Sequence, residues 1–223
     1  MNNAEGPPFH AASPRRQPEY GVELLWLPLG ARGYFLRVGG KVYEALAALL
    51  DRRETQDIYH SVLNVRVPSG RYVIEMGPVA DTNGAGRGVV VEGPVASRLL
   101  AHFRIFRYEV RCWRDGITAY DYAVDGPRRI TDGPSRAQQV LELVQQVPAL
   151  TWGRDQLRIG ESWSCNSLTS WLLSRSGVET PVEPPAGGRA PGWTAGAVVA
   201  RRQLMRQASL GDETARLVDS LRA

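Results

Sequence analysis

Gly160-Glu161-Ser162-Trp163-Ser164-Cys165-Asn166-Ser167-Leu168-Thr169-Ser170-Trp171-Leu172-Leu173-Ser174-Arg175-Ser176-Gly177 reads as a capped helix with a cysteine in its first turn. Ser162 and Ser164 are residue types that cap helix N-termini, Leu168, Trp171 and Leu172 recur at helical spacing, and Gly177 stands where a left-handed C-terminal cap belongs. At a helix start the unpaired N–H groups and the macrodipole favour negative charge, so a thiol there ionises readily and becomes a better nucleophile. A cysteine on a core-packed helix is otherwise a small buried hydrophobe.

Upstream, Ile58-Tyr59-His60-Ser61-Val62-Leu63-Asn64-Val65-Arg66-Val67 is β-branched and aromatic, Pro68-Ser69-Gly70-Arg71 is a turn, and Tyr72-Val73-Ile74-Glu75-Met76 resumes the strand pattern. This predicts a hairpin. With the turn centred on Ser69-Gly70, Glu75 lies across from Asn64, and the period of two puts His60, Asn64 and Glu75 on one face. Four residues separate His60 from that pairing point, roughly 13 Å along a strand. Asn64 is therefore an alternative to Glu75 as a partner for the imidazole.

The other segments are less specific. Residues 1–19 carry no apolar periodicity and are expected to be a disordered tail, followed by an α+β domain over 20–180. Within it, Val22 to Leu27 and Tyr34 to Val38 read as strands, and 41–53 as an amphipathic helix. The glycine-rich loop 81–88 leads into a strand at Val89 and so lacks the strand-to-helix setting of a phosphate cradle. Pro94 to Ala101 reads as a short helix. Phe106, Tyr108, Val110 and Cys112 alternate as in a half-buried strand, with a helix as the competing reading. Residues 117–133 look irregular, Pro134 to Val147 helical, 181–192 a Pro/Gly-rich linker across the surface, and 193–223 a C-terminal helical segment.

The 223 residues include 43% hydrophobic ones, enough for a real core. The net charge of +4 is carried almost wholly by arginine, Lys41 being the only lysine. That skew reads as genomic composition and not as a nucleic-acid footprint, because Arg104, Arg107, Arg111 and Arg114 have no interleaved aromatic platform. No stretch is apolar enough to span a membrane and residues 1–20 lack a signal-peptide pattern, so a cytoplasmic location with Cys112 and Cys165 reduced is expected.

Nucleophilic thiol chemistry needs a thiolate, an imidazole to move its proton, and a polar group to fix the ring. Cys165, His60 and Glu75 supply those types, in the order histidine strand, polar strand, cysteine helix. The pattern resembles the circularly permuted papain-like thiol hydrolases and acyltransferases, relatives of lecithin:retinol acyltransferase and of bacterial cell-wall amidases. The resemblance covers roughly residues 55–177. It implies an α+β fold, with an antiparallel sheet packed against the cysteine-bearing helix and further helices added. It also implies cleavage or transfer of an amide or ester acyl group through a Cys165 thioester. Asn64, Tyr59, Ser164 and Asn166 are candidate orienting or oxyanion-side groups. The residues around the nucleophile, Trp163-Ser164-Cys165-Asn166-Ser167, differ from the Asn-Cys-Glu-His pattern of the acyltransferase branch, which leaves the substrate open between a small molecule and a peptide. No cofactor, metal or nucleic-acid partner is expected. The competing expectations are a non-catalytic binding or scaffold protein on the same fold, and a serine hydrolase using Ser164 or Ser167.

Overall fold

The computed structural model describes residues 20–28, 57–79, 88–116, 120–178 and 182–222; the expected tail, the strand at 34–38, the helix at 41–53 and nearly all of the glycine-rich loop lie outside them. The described chain is α+β. Strands β1 (Gly21–Pro28), β2 (Asp57–Val67), β3 (Gly70–Pro78), β4 (Val89–Pro94), β5 (Arg107–Arg114) and β6 (Arg128–Asp132) form a sheet in the order β4-β5-β3-β2-β1-β6. Every pairing along that path is antiparallel, and a two-residue strand β7 (Gly188–Arg189) adds to β2 in parallel. Three α-helices accompany the sheet: α1 (Pro134–Leu143), α2 (Cys165–Arg175) and α3 (Trp193–Arg222).

Alternation along the strands divides the apolar residues between two faces. Val22, Leu24, Trp26, Leu63, Val65, Ile74, Met76, Tyr108 and Val110 form the main core with α1 and α2. Leu25, Leu27, Val62 and Val73 make a smaller cluster on the opposite face, covered by Tyr120 and Ala123. Central β1 is therefore buried on both sides and reads as a near-continuous apolar run.

The β2–β3 turn corrects one expectation. Val67 pairs with Gly70, so the turn residues are Pro68 and Ser69, and Asn64 faces Val73 instead of Glu75. Proline's fixed φ suits the first central position of a tight turn, and Gly70 at φ +137° re-enters the ladder with the Arg114 side chain where a Cβ would stand. His60, Asn64 and Glu75 still share a face, since a shift of two residues preserves the alternation.

Three further expectations change. Residues 128–132, read as irregular, form β6: only Ile130 is buried there, so the stretch has no apolar pattern of its own and is held by β1. The helix expected from Pro94 shrinks to a 3-10 turn at Arg98–Leu100, capped by Ser97. The Pro/Gly segment is no detached linker, because residues 188–192 run along β2 and the start of α2.

Helix α2 is buried from Cys165 through Leu173, more than its apolar stripe requires. Leu168, Trp171 and Leu172 belong to the main core, with the Trp171 indole N–H donating to Gln203 of α3 at 2.8 Å, and α3 covers the small polar side. There Ser170 donates to the Trp193 carbonyl at 2.6 Å, and Gly196 sits so close that a Cβ would be 2.1 Å from the Ser167 carbonyl oxygen. Among the described residues no helix is long and apolar enough to cross a membrane.

Candidate active site

Ser164 is the N-cap of α2. Its hydroxyl accepts the Asn166 N–H at 3.2 Å, while the Ser167 hydroxyl accepts the Ser164 N–H at 2.9 Å, a reciprocal capping box that sets the first turn. At the other end Gly177 adopts φ +69° and the Val178 N–H donates to the Leu173 carbonyl at 3.0 Å. Cys165 is thus the first helical residue, where the dipole's positive end lies.

The sheet brings β2 to this point by parting from β3. The β2–β3 ladder ends at Leu63 and Ile74, whereas β3 stays with β5 as far as Pro78 and Tyr108. Residues 59–61 of β2 therefore have a strand, β1, on one edge only. On the edge that β3 has left, the side chain of Asn166 takes over. Its Oδ1 accepts the Ser61 N–H at 3.0 Å and its Nδ2 donates to the Tyr59 carbonyl at 2.9 Å. The Ser61 hydroxyl also donates to Asn166 Oδ1 at 2.8 Å and lies 2.9 Å from the Thr169 hydroxyl.

The residue between those two clamped positions is His60. Its β1 partner is Leu27, so it leaves the strand on the face away from the helices. The start of α2 lies at the opening between β2 and β3, and there the half-buried imidazole hydrogen-bonds the Cys165 thiol. Burial of Cys165, only 6% exposed, pushes its pKa up. The positive charge of His60, the hydrogen bond from its ring, and the N–H groups of Asn166 and Ser61 outweigh that burial, and the thiol is held below its ordinary value. Cys112 is the contrast. It is a free, half-buried thiol on β5 opposite Ile74, with nothing to offset burial, and its pKa is pushed up to about 11.

The remaining predicted residues separate. Glu75 is buried on the His60 face and pairs with Arg111 at 3.2 Å; Arg111 also binds Glu109 at 2.5 Å and the Pro78 carbonyl at 3.1 Å. Arg111 is thus ion-paired to two carboxylates. Asn64 belongs to another cluster: its amide donates to Glu23 at 2.7 Å and contacts the Tyr120 hydroxyl, and Arg129 reaches the same carboxylate at 3.4 Å. Tyr59 contributes its backbone carbonyl, while burial, with Asp57 and Asp125, raises its phenol. Ser164 and Ser167 spend their hydroxyl protons on the carbonyls of Pro191 and Gly192, each at 2.7 Å.

Sequence reasoning missed the strap at 188–192. Pro191 also receives the second Asn166 amide hydrogen at 3.2 Å, and Gly192 at φ +89° lies where a Cβ would be 2.2 Å from the Ser164 hydroxyl. The Pro-Gly pair that signalled a linker is the signal that could have located it, since glycine also marks places where backbone must approach closely. The chain matches no protein-family model, no curated protein and no solved structure.

Proposed function

We propose that this protein is a thiol-dependent hydrolase or acyltransferase, with Cys165 as nucleophile and His60 as general base and acid, on a permuted papain-like scaffold. The observation that carries the reading is the hydrogen-bonded Cys165–His60 pair at the start of α2, with the thiol lowered against its burial. The histidine strand preceding the cysteine helix, and the antiparallel sheet beneath that helix, support the scaffold. The engagement of Ser164 and Ser167 with Pro191 and Gly192 speaks against a serine nucleophile.

The thiolate of Cys165 adds to the carbonyl carbon of an amide or ester. The developing oxyanion is met by the helix-start N–H of Cys165, which has no acceptor one turn earlier in the helix. Imidazolium His60 gives its proton to the departing amine or alcohol, leaving a thioester. His60 then takes a proton from water or an acceptor nucleophile, which attacks the thioester and releases the acyl group and thiolate. Glu75 is the proposed orienting carboxylate, because it shares the His60 face while Asn64 is tied to Glu23. A reducing cytoplasmic setting suits a working thiolate.

The near-complete burial of Cys165 favours a second reading, a binding protein that keeps the pair as a structural contact. The test is intact-mass analysis after p-nitrophenyl acetate. One acetyl group on Cys165 with a burst of nitrophenol is expected, abolished by Cys165→Ala and slowed by His60→Gln. Absence of an adduct, or acetylation at Cys112 instead, overturns the enzyme reading.

A further inference from the structure

The excursion between β4 and β5 carries apolar side chains into solvent on a closed, hydrogen-bonded loop. The Val95 N–H donates to the Phe106 carbonyl at 2.8 Å and the Ala96 N–H to the Trp152 carbonyl at 2.8 Å, which fastens the base to the body of the protein. Within the loop, Ser97 caps the turn at Arg98–Leu100, and the N–H groups of Phe103 and Phe106 donate to the carbonyls of Leu100 and Phe103. The tip is therefore shaped before anything binds it. Yet Leu99 is 85% exposed, Ile105 82% and Phe103 53%. Single exposed apolar residues are ordinary, but three large ones on one short ordered loop form a patch of the kind that marks an interaction surface.

The flanking charges say what kind. From Pro94 to Phe106 the chain holds Arg98 and Arg104 and not one acidic residue, while Arg107 beyond the loop is ion-paired with Glu92. An apolar tip set among cations matches the two-part demand of an anionic bilayer surface, acyl chains for the apolar side chains and headgroup charge for the arginines. A second copy of this chain fits less well: a self-complementary contact across a two-fold axis would set arginine patches against each other. We propose that residues 98–106 are a peripheral docking prong for anionic lipid surfaces. The prong lies outside the Cys165 site and needs no spanning helix.

The test uses the full chain and vesicles of phosphatidylcholine with or without phosphatidylserine, read by co-sedimentation at low and at physiological salt. Expected are binding to the phosphatidylserine vesicles, weakening with salt, and little binding to phosphatidylcholine alone. The double variant Leu99→Ser, Ile105→Ser should reduce vesicle binding by about tenfold or more, and Arg98→Gln by about fivefold. These positions are exposed, so an unchanged unfolding midpoint should accompany the loss. As a direct reporter, Ile105→Trp should shift its fluorescence to shorter wavelength when the anionic vesicles are added. No binding, equal binding to both vesicles, or binding indifferent to Leu99 and Ile105 overturns the proposal. So does a concentration-dependent dimer dispersed by Ile105→Ser, which would assign the patch to a protein contact instead.

Discussion

The carboxamide of Asn166 stands in for a neighbouring strand at Ser61: it accepts the Ser61 N–H at 3.0 Å and returns a hydrogen bond to the Tyr59 carbonyl at 2.9 Å. The residue that follows the cysteine thus grips the backbone on both sides of the histidine. Helix and strand are joined at the point where thiol and imidazole must meet. Backbone groups left bare at an edge otherwise need water or a partner, and here the partner comes from the helix whose placement matters most.

Asn166→Ala should therefore act twice. It strands the buried Ser61 N–H and Tyr59 carbonyl, costing about 2–4 kcal/mol in urea unfolding, while the Pro191 carbonyl keeps the Ser164 hydroxyl. It also loosens the register of His60 against Cys165, so the pH midpoint of iodoacetamide alkylation at Cys165 should rise. An equal loss of stability with an unmoved midpoint would reduce Asn166 to a purely structural role.

His60→Gln tests the electrostatics. Burial raises the Cys165 pKa, while the charge and hydrogen bond of His60 lower it, so removing the imidazole leaves burial less opposed. The alkylation midpoint should move upward, and in the wild type Cys165 should react at a pH below that of an ordinary thiol. A downward shift would mean that His60 is neutral beside the thiol.

Cys112 supplies a stability prediction with the opposite sign. Its folded pKa of about 11 lies above that of an exposed thiol. Between the two values the unfolded chain has lost a proton that the folded chain keeps, so stability present below the ordinary thiol value falls as pH rises. Allowing for partial exposure of the residue, the loss is about 1–2 kcal/mol. Urea unfolding at about pH 8 and about pH 10.5 should show a smaller decline in Cys112→Ala than in wild type. Identical declines would remove this thiol from the alkaline transition.

Gly192→Ala should destabilise the start of α2. A side chain there meets the Ser164 hydroxyl at 2.2 Å and the Ser167 hydroxyl at 2.7 Å in a backbone conformation that alanine avoids. A loss of about 2–4 kcal/mol is expected, seen as a lower thermal midpoint. A mutant as stable as wild type would show that the strap at 188–192 moves away freely.

Glu75→Gln and Asn64→Ala divide the orienting role. Asn64→Ala should cost about 1–3 kcal/mol, because Glu23 and Tyr120 lose a buried partner, with little effect on the alkylation midpoint. Glu75→Gln should weaken the imidazolium and raise the midpoint. The reverse ranking would return the role to Asn64.

Local chemistry determined much of this protein. The serines and Gly177 fixed where the cysteine helix begins and ends, because capping is decided within a few residues. Alternation placed His60, Asn64 and Glu75 on one face, because a strand's period of two survives a register shift of two. What needed the tertiary structure were relations between segments remote in the chain. Asn64 looked like a partner for His60 until Glu23, 41 residues away, took its amide. Arg128–Asp132 became a strand only because β1 offered an edge. The separation of β2 from β3 leaves no periodic mark, nor do the filling of the gap by Asn166 and the contacts of Pro191 and Gly192 with the start of α2, which join groups more than 20 residues apart. Sequence pattern reports what a segment can bury; which partner satisfies a particular N–H or carbonyl is settled only when the whole chain is packed.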